Sequence, residues 1–294
     1  MTAKILVLGR SGQVARELEK VGPPRGFTFE FAGRDRLDLG VEDPRLLLDQ
    51  IRPAAVINAA AHTAVDQAES EPEAAYRLNR DMPAAVAQAC ARTATPFVHF
   101  SSDFVFDGTK GSPYVETDPV GPLNVYGDSK AAGDAAVLAA GGPAVVLRVS
   151  WVFGAFGVNF LKRMLQRAEN QDEIGVVADQ MGRPTWAEDC ARGSLRAVRA
   201  LLDGEIQDAD LFHLCGVGDA SVADLTEAIF AESAVRGGPS ARVRRITTAE
   251  RPTPARRPAD SRLDCGKITK ALDWPMRDWR VGLSACFDEL YVTA

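Results

Sequence analysis

The 294-residue chain reads as an α/β protein: a doubly wound parallel sheet joined to a smaller, partly interleaved C-terminal unit. Three observations predict it. Apolar runs at 4–8, 55–60 and 144–149 are rich in Val, Ile, Leu and Ala with little polar interruption, as strands buried on both faces require. Longer amphipathic stretches separate them, so strands and helices alternate. The first run, KILVL, leads straight into a glycine turn and a helix start.

Taken in order, 4–8 is the first strand and 13–20 the first helix. Strand 27–32 and helix 44–51 follow, then strand 55–60 and a long Ala-rich helix over 73–93. Residues 96–101 (PFVHFS) make the fourth strand, 124–140 a helix, and 144–149 the fifth strand. After Trp151 the pattern loosens. Helices are expected at 158–170, 187–202, 222–234 and 281–291, with short strands at 174–177 and 211–214. The Pro- and Arg-rich stretch 251–261 (RPTPARRPADS) must be irregular. This divides the chain into 1–151, with later segments returning to that unit, and 152–294. There is no internal repeat.

The composition, 46% hydrophobic and 25% charged, is that of an ordinary globular protein. A net charge of -6, without a basic stripe interleaved with aromatics, argues against nucleic-acid binding. The densest basic spots are Arg242, Arg244 and Arg245, then Arg251, Arg256 and Arg257. They suit either a phosphate-bearing small molecule or a solvated loop. Five scattered cysteines without a CxxC suggest neither a disulfide framework nor a zinc site, and fit a reducing compartment. No apolar run is long enough to span a bilayer, and no signal-peptide pattern is seen, so a cytoplasmic location is expected.

Gly9-Arg10-Ser11-Gly12-Gln13-Val14-Ala15 has the spacing G-x-x-G-x-x-A between a strand and a helix. Such a turn lets backbone approach a pyrophosphate, which sits at the positive helix N-terminus, the dinucleotide site of Rossmann-type sheets. No Gly-Lys-Ser/Thr follows, so it is not a P-loop. After the second strand comes Gly33-Arg34, where a dinucleotide site selective for the 2′-hydroxyl has an acid. An arginine there favours a 2′-phosphate, hence NADPH, and Arg10 stands by to help.

The fourth strand ends at Ser101-Ser102-Asp103, on the carboxyl edge where ligands of open α/β sheets bind. One loop later Tyr126 and Lys130 stand four residues apart on one helix face. A phenol ordinarily titrates near pH ~10. A nearby ammonium lowers that value and makes the phenol a usable acid. A serine hydroxyl can hold the carbonyl oxygen that accepts the proton, while a nicotinamide supplies hydride. A Tyr-x-x-x-Lys pair alone is common by chance; with the glycine turn and the strand-end Ser it becomes specific.

With these residues the chain resembles the extended short-chain dehydrogenase/reductases, and within them the dTDP-4-dehydrorhamnose reductases. The likeness runs nearly end to end. It includes VINAAAHTAVDQAESEPE (56–73), SSDFVFDG (101–108), NVYGDSK (124–130), RVSWVFGAFGVNFLKRML (148–165), VVADQMGRPTWAED (176–189) and RPTPARRPADSRLD (251–264). The resemblance implies reduction of a C4 ketone on a dTDP-deoxysugar, with 152–294 mainly holding the nucleotide sugar. Tyr126 would be the proton donor, Lys130 its tuner and ribose clamp, and Ser102 the anchor of the sugar oxygen. Asp103 and Trp151 would contact the sugar. Gly9, Gly12, Gln13 and Val14 would hold the pyrophosphate, Asp38 and Leu39 the adenine side, and Ala61, His62 and Thr63 would lie along the cofactor. His62 has no proton-transfer role in this reading. Asn159, Gln180, Pro184, Arg256 and Arg257 fall on the nucleotide-sugar side. The resemblance brings in a magnesium ion on Glu17, Glu188 and Glu289, unnecessary for hydride transfer, and admits a homodimer.

Three departures from the family pattern stand out. Ala15 replaces a third glycine, Phe104 stands where the family has Tyr, and Gly33 removes the acid some members have, which argues against dual use of NADH and NADPH. Two other readings remain. An epimerase uses the same Ser-Tyr-Lys set but retains its cofactor. A methionine adenosyltransferase regulatory β-subunit resembles these reductases without acting as one. A 4,6-dehydratase needs an Asp-Glu pair after the strand-end hydroxyl, and Asp103-Phe104 lacks the second acid.

Overall fold

The structure, a computed structural model, describes residues 2–33 and 43–292. Six strands form one parallel sheet: β1 (Ala3–Leu8), β2 (Phe27–Ala32), β3 (Ala55–Asn58), β4 (Phe97–Ser102), β5 (Ala144–Val149) and β6 (Asp210–Leu214). Their spatial order is β2-β1-β3-β4-β5-β6, and every pair is parallel. The order reverses between β1 and β3, which opens a crevice at their carboxyl ends.

Alternation along each strand feeds two cores. Ile5, Val7, Ile57, Val98 and Leu147 face helices α1 (Gln13–Val21) and, from the second half of the chain, Ala187–Leu202. Leu6, Leu8, Val56, Phe97 and Val146 face α2 (Pro44–Ile51), α3 (Met82–Arg92) and α4 (Val125–Leu138). Ile5 to Leu8 are all fully buried, so trimming any of them to Ala would cost ~2–5 kcal/mol. A third core, with Phe153, Leu161, Ile174, Trp186, Ile229, Trp279 and Phe287, belongs to the second half.

The structure departs from the sequence expectations in three places and seats one expected strand in the main sheet. β3 stops at Asn58, because that side chain folds back to accept the Ala60 N–H at 3.1 Å and ends the ladder. The helix expected over 73–93 is broken into Pro72–Tyr76, a π turn Arg77–Asp81, and α3. Pro83 has no N–H, and its ring excludes the carbonyl four residues back, so the chain widens by one residue there. The strand expected at 211–214 is β6, the edge of the main sheet, with Phe212 opposite Leu147. Finally, Arg242–Ile246 is a strand, parallel to Glu173–Val177. Its arginines are ion-paired: Arg242 and Arg244 with Glu173, and Arg245 with Asp224 and Glu227. Among the described residues no helix is long and apolar enough to cross a membrane.

Candidate active site

The glycine turn leaves β1 at the crevice. Gly9 has φ +101°, and a Cβ there would lie 3.2 Å from the Ala59 carbonyl carbon, so the turn can rest on the end of β3 only with glycine. Gly12 is the extended residue before α1. Gln13 donates to the Val152 carbonyl at 3.4 Å, and its own side-chain oxygen is buried without a partner. Ala15 is fully buried in the core, so the missing third glycine is absorbed by packing. Arg34, Asp38 and Leu39 lie outside the described residues.

The loop Ala61-His62-Thr63 follows β3 and is pinned by Asn79 from the π turn. Asn79 accepts the His62 N–H at 2.9 Å, donates to the His62 carbonyl at 3.1 Å, and donates to Ser129 of α4 at 3.0 Å. His62 Nδ1 is buried with no partner. Asn79 is a site residue that sequence reasoning missed. Its signal was Pro83 inside an otherwise helical pattern.

α4 is capped by Asn124, which accepts the Gly127 N–H at 2.7 Å and donates to the Arg256 carbonyl at 2.7 Å. A Cβ on Gly127 would sit 2.1 Å from the Phe104 carbonyl oxygen, so only glycine lets α4 press onto the turn Asp103–Val105. That contact brings Tyr126 to the end of β4. Its phenol faces the Ser102 hydroxyl, and its ring meets the Phe104 ring edge-on at 5.9 Å. Burial pushes the phenol pKa up to about 12; the nearby Ser102 hydroxyl opposes this, and the Asp103 and Asp134 charges add to it. Lys130 is buried and donates to the Phe100 carbonyl at 2.6 Å. Burial pulls its pKa down to about 8, against Asp134. The expectation that Lys130 lowers the phenol pKa is therefore corrected: here the ammonium is committed to Phe100 and burial governs the phenol.

Asp103 does not offer its carboxylate outward. It is buried and accepts hydroxyl donors from Ser102 at 3.1 Å, Ser150 at 3.1 Å and Ser261 at 2.6 Å. Burial raises its pKa to about 6 against these bonds. In place of the expected sugar contact, it fixes the Ser102 hydroxyl; Ser150 and Ser261 were not foreseen, because only the fold brings them to Asp103.

Trp151 holds φ +45°, a costly region for a bulky residue. Thr185 stabilises it, donating its N–H to the Trp151 carbonyl at 3.2 Å and its hydroxyl to the Ser150 carbonyl at 2.6 Å. Asn159 caps the helix Phe160–Ala168, accepting from Lys162 N and donating to the Gly154 and Phe156 carbonyls. Its expected substrate role gives way to this cap, which engages both ends of the amide. Gln180 donates to Thr248 at 3.0 Å, and Arg257 grips Asp66 through two contacts of 3.0 Å. The 251–261 loop is thereby tied to the segment after β3.

Glu17, Glu188 and Glu289 do converge, but on a lysine. Lys20 Nζ lies 2.7, 2.9 and 2.8 Å from the three carboxylates. Arg192 also holds Glu188 at 2.7 Å. The ammonium spends its three donors on the three acids, so the residues do not fit the expected magnesium ion. No group able to hold a metal is found among the described residues. Lys20 went unforeseen because each glutamate is far from the others in sequence.

A hydroxyl anchor and a phenol at the carboxyl edge of β4, with a buried lysine one turn on and a glycine turn at the sheet's switch point, suit carbonyl reduction by a bound dinucleotide. The class so defined is the extended short-chain dehydrogenase/reductases. The family model described as "RmlD substrate binding domain" matches residues 3–292. The chain is 40% identical to the dTDP-4-dehydrorhamnose reductase of Sinorhizobium fredii over 280 residues, 94% of each chain. The crystal structure of the Clostridium acetobutylicum dTDP-4-dehydrorhamnose reductase superposes with a TM-score of 0.90 at 32% identity, covering 98% of this chain and 99% of that one. The Bacillus anthracis enzyme in complex with NADP gives 0.90 at 28% identity, covering 98% and 100%. The chain belongs to the dTDP-4-dehydrorhamnose reductase family.

Proposed function

We propose that this protein reduces the C4 keto group of dTDP-4-dehydro-L-rhamnose to give dTDP-L-rhamnose, with NADPH as reductant, in the cytoplasm. The observation that carries the reading is the meeting of the Tyr126 phenol and the Ser102 hydroxyl at the end of β4, beside the crevice. The family membership supplies the substrate class.

The residues fit the dinucleotide. Gly9 lets the turn close on β3, and Gln13 Oε1 and His62 Nδ1, in the two segments assigned to the cofactor, are buried with unused hydrogen-bonding capacity. Gly9, Gly12, Gln13 and Val14 would hold the pyrophosphate at the α1 N-terminus, and Ala61, His62 and Thr63 would line the cofactor's path. Tyr126 and Lys130 would hold the nicotinamide ribose. Arg34 and the NADP complex of the Bacillus anthracis relative favour NADPH over NADH.

NADPH, when bound, supplies the hydride delivered to C4. The chain's own groups do the rest. Ser102, which donates to Asp103 at 3.1 Å, would turn that proton to the sugar's carbonyl oxygen, beside the Tyr126 phenol that donates to the same oxygen. The phenol remains protonated at neutral pH, since its pKa is pushed up to about 12, so the acid is present in its donating form. The Lys130 ammonium, held here by the Phe100 carbonyl, would turn to the nicotinamide ribose. In this reading residues 1–151 hold the cofactor, and 152–294 hold the nucleotide sugar with Gln180, Pro184 and Arg257, beside Trp151.

The test is to mix purified protein, NADPH and dTDP-4-dehydro-L-rhamnose and follow NADPH loss and product by mass. Stoichiometric NADPH oxidation with dTDP-L-rhamnose formed is expected. A tightly held NAD with epimer formation, or no turnover at all, would sink the proposal.

A further inference from the structure

The fourth strand carries a histidine that the site described above does not use. His99 is fully buried and lies opposite Asn58 in the register of β3 and β4. Its ring stacks on Phe97 at 6.2 Å. Asn58 Oδ1 accepts the Ala60 N–H at 3.1 Å, which fixes the amide so that its NH2 group faces His99. That NH2 is 2.9 Å from His99 Nδ1. Nδ1 must then be the accepting nitrogen, and a neutral ring carries its proton on Nε2. His99 Nε2 in turn lies 3.4 Å from Lys130 Nζ.

We propose that His99 is a positioning residue for the ketone reduction, acting through Lys130 by presenting a fixed Nε2–H donor to the lysine nitrogen. The inference rests on the reading of Tyr126 and Lys130 given above. An ammonium and an N–H are both donors, so this contact is long and unfavourable while Lys130 is charged. Once Lys130 loses its proton, the amine lone pair can accept the Nε2–H. His99 thus favours the neutral amine and leaves the ammonium held mainly by the Phe100 carbonyl, readily surrendered to a ribose hydroxyl. Burial and the Lys130 charge hold the His99 pKa well below its ordinary value, consistent with a neutral ring.

Other titratable groups act on the same lysine. Asp134 lies one turn on in α4 and opposes deprotonation; Arg148 of β5 pairs with Asp134; Tyr126 lies one turn earlier. None of these donates a neutral N–H to the nitrogen, so His99 makes a separable contribution.

Two measurements test this. The chain has three histidines, His62, His99 and His213, so 15N-histidine NMR of the wild-type protein, assigned with His99→Gln, reads the tautomer without substrate or turnover. The Nε2–H tautomer at neutral pH is expected, with both ring nitrogens shifting as Lys130 titrates. A proton on Nδ1, or an imidazolium, overturns the proposal. The second is the pH profile of kcat/KM. His99→Gln can turn a carbonyl oxygen to the ammonium, and Asn58→Ala frees Nε2 to accept, so each should move the alkaline limb up by about one unit. Equal losses of kcat with an unmoved limb would reduce His99 to packing. If either variant fails to fold, the NMR result still decides. Failure of the substrate assignment would appear as absent turnover in wild type and leave the tautomer result standing.

Discussion

Lys130 and Asp134 lie one turn apart on α4, and the second carboxylate is 2.9 Å from the Arg148 guanidinium. The acid is shared, so it compensates only part of the cost of burying the lysine, whose pKa is pulled down to about 8. An unfolded lysine, titrating near ~10.4, binds its proton more readily than the folded one. Below pH 8 the folded state therefore carries the full cost of the buried charge, and the cost fades as pH rises from 8 toward 10. Lys130→Met should abolish turnover yet stabilise the protein by ~1–3 kcal/mol at pH 7. Thermal unfolding of the pair of proteins at pH 7 and pH 9 checks this, with the larger gain at pH 7. A fall in Tm would mean that the lysine is structural.

Asp103 gives an acid-side prediction. Its carboxylate accepts three hydroxyls, and its pKa is raised to about 6 by burial. As pH falls through 6 it takes up a proton, loses acceptor capacity and releases Ser102, so kcat/KM should fall along an acid limb near that value. Asp103→Asn should remove the limb and lower kcat by about tenfold through misplacement of Ser102. Stability runs the other way: a raised folded pKa favours the protonated native state, and this contribution is lost as pH rises from 4 to 6. A pH-rate profile identical to wild type in Asp103→Asn would refute the role.

The Lys20 cluster predicts metal independence. Chelator should leave wild-type Tm and turnover unchanged. Lys20→Met strips the cation from three carboxylates, of which Glu17 is fully buried, and should cost ~1–3 kcal/mol, allowing for the lysine's partial exposure. Magnesium should then raise the variant's Tm and leave the wild type's alone. Equal magnesium responses in both proteins would show that the lysine does not stand in for a cation.

Gly127→Ala separates packing from chemistry. The added methyl meets the Phe104 carbonyl at 2.1 Å, so α4 must move away from the Ser102 turn. The expected stability loss is ~1–3 kcal/mol, with kcat down by about a hundredfold as Tyr126 and Ser102 part. Steady-state kinetics beside urea unfolding would expose the contrary case, stability lost with kcat intact.

Much of this was legible in the chain, and the rest was hidden for physical reasons. β1, β3 and β5 announce themselves as apolar runs, and Gly9-Gly12 marks the first crossover, because those signals are local. Tyr126 and Lys130 share a face by helix period alone. The seat of β6 at the sheet edge, the Asp103–Ser150–Ser261 contacts and the Lys20 cluster depend on which distant segments meet, which no period encodes. Asn159 was assigned to substrate by motif; here a helix cap occupies both ends of its amide. His99 sits in an apolar strand, and only the β3–β4 register reveals that Asn58 fixes its tautomer.

The central claim, that Tyr126 is the acid for a C4 ketone, is tested most directly by Tyr126→Phe. Initial rates of NADPH oxidation with dTDP-4-dehydro-L-rhamnose, measured with NADPH affinity by fluorescence, should show kcat down by ~10²–10⁴-fold and NADPH binding nearly unchanged. A variant that turns over at close to the wild-type rate would contradict the account.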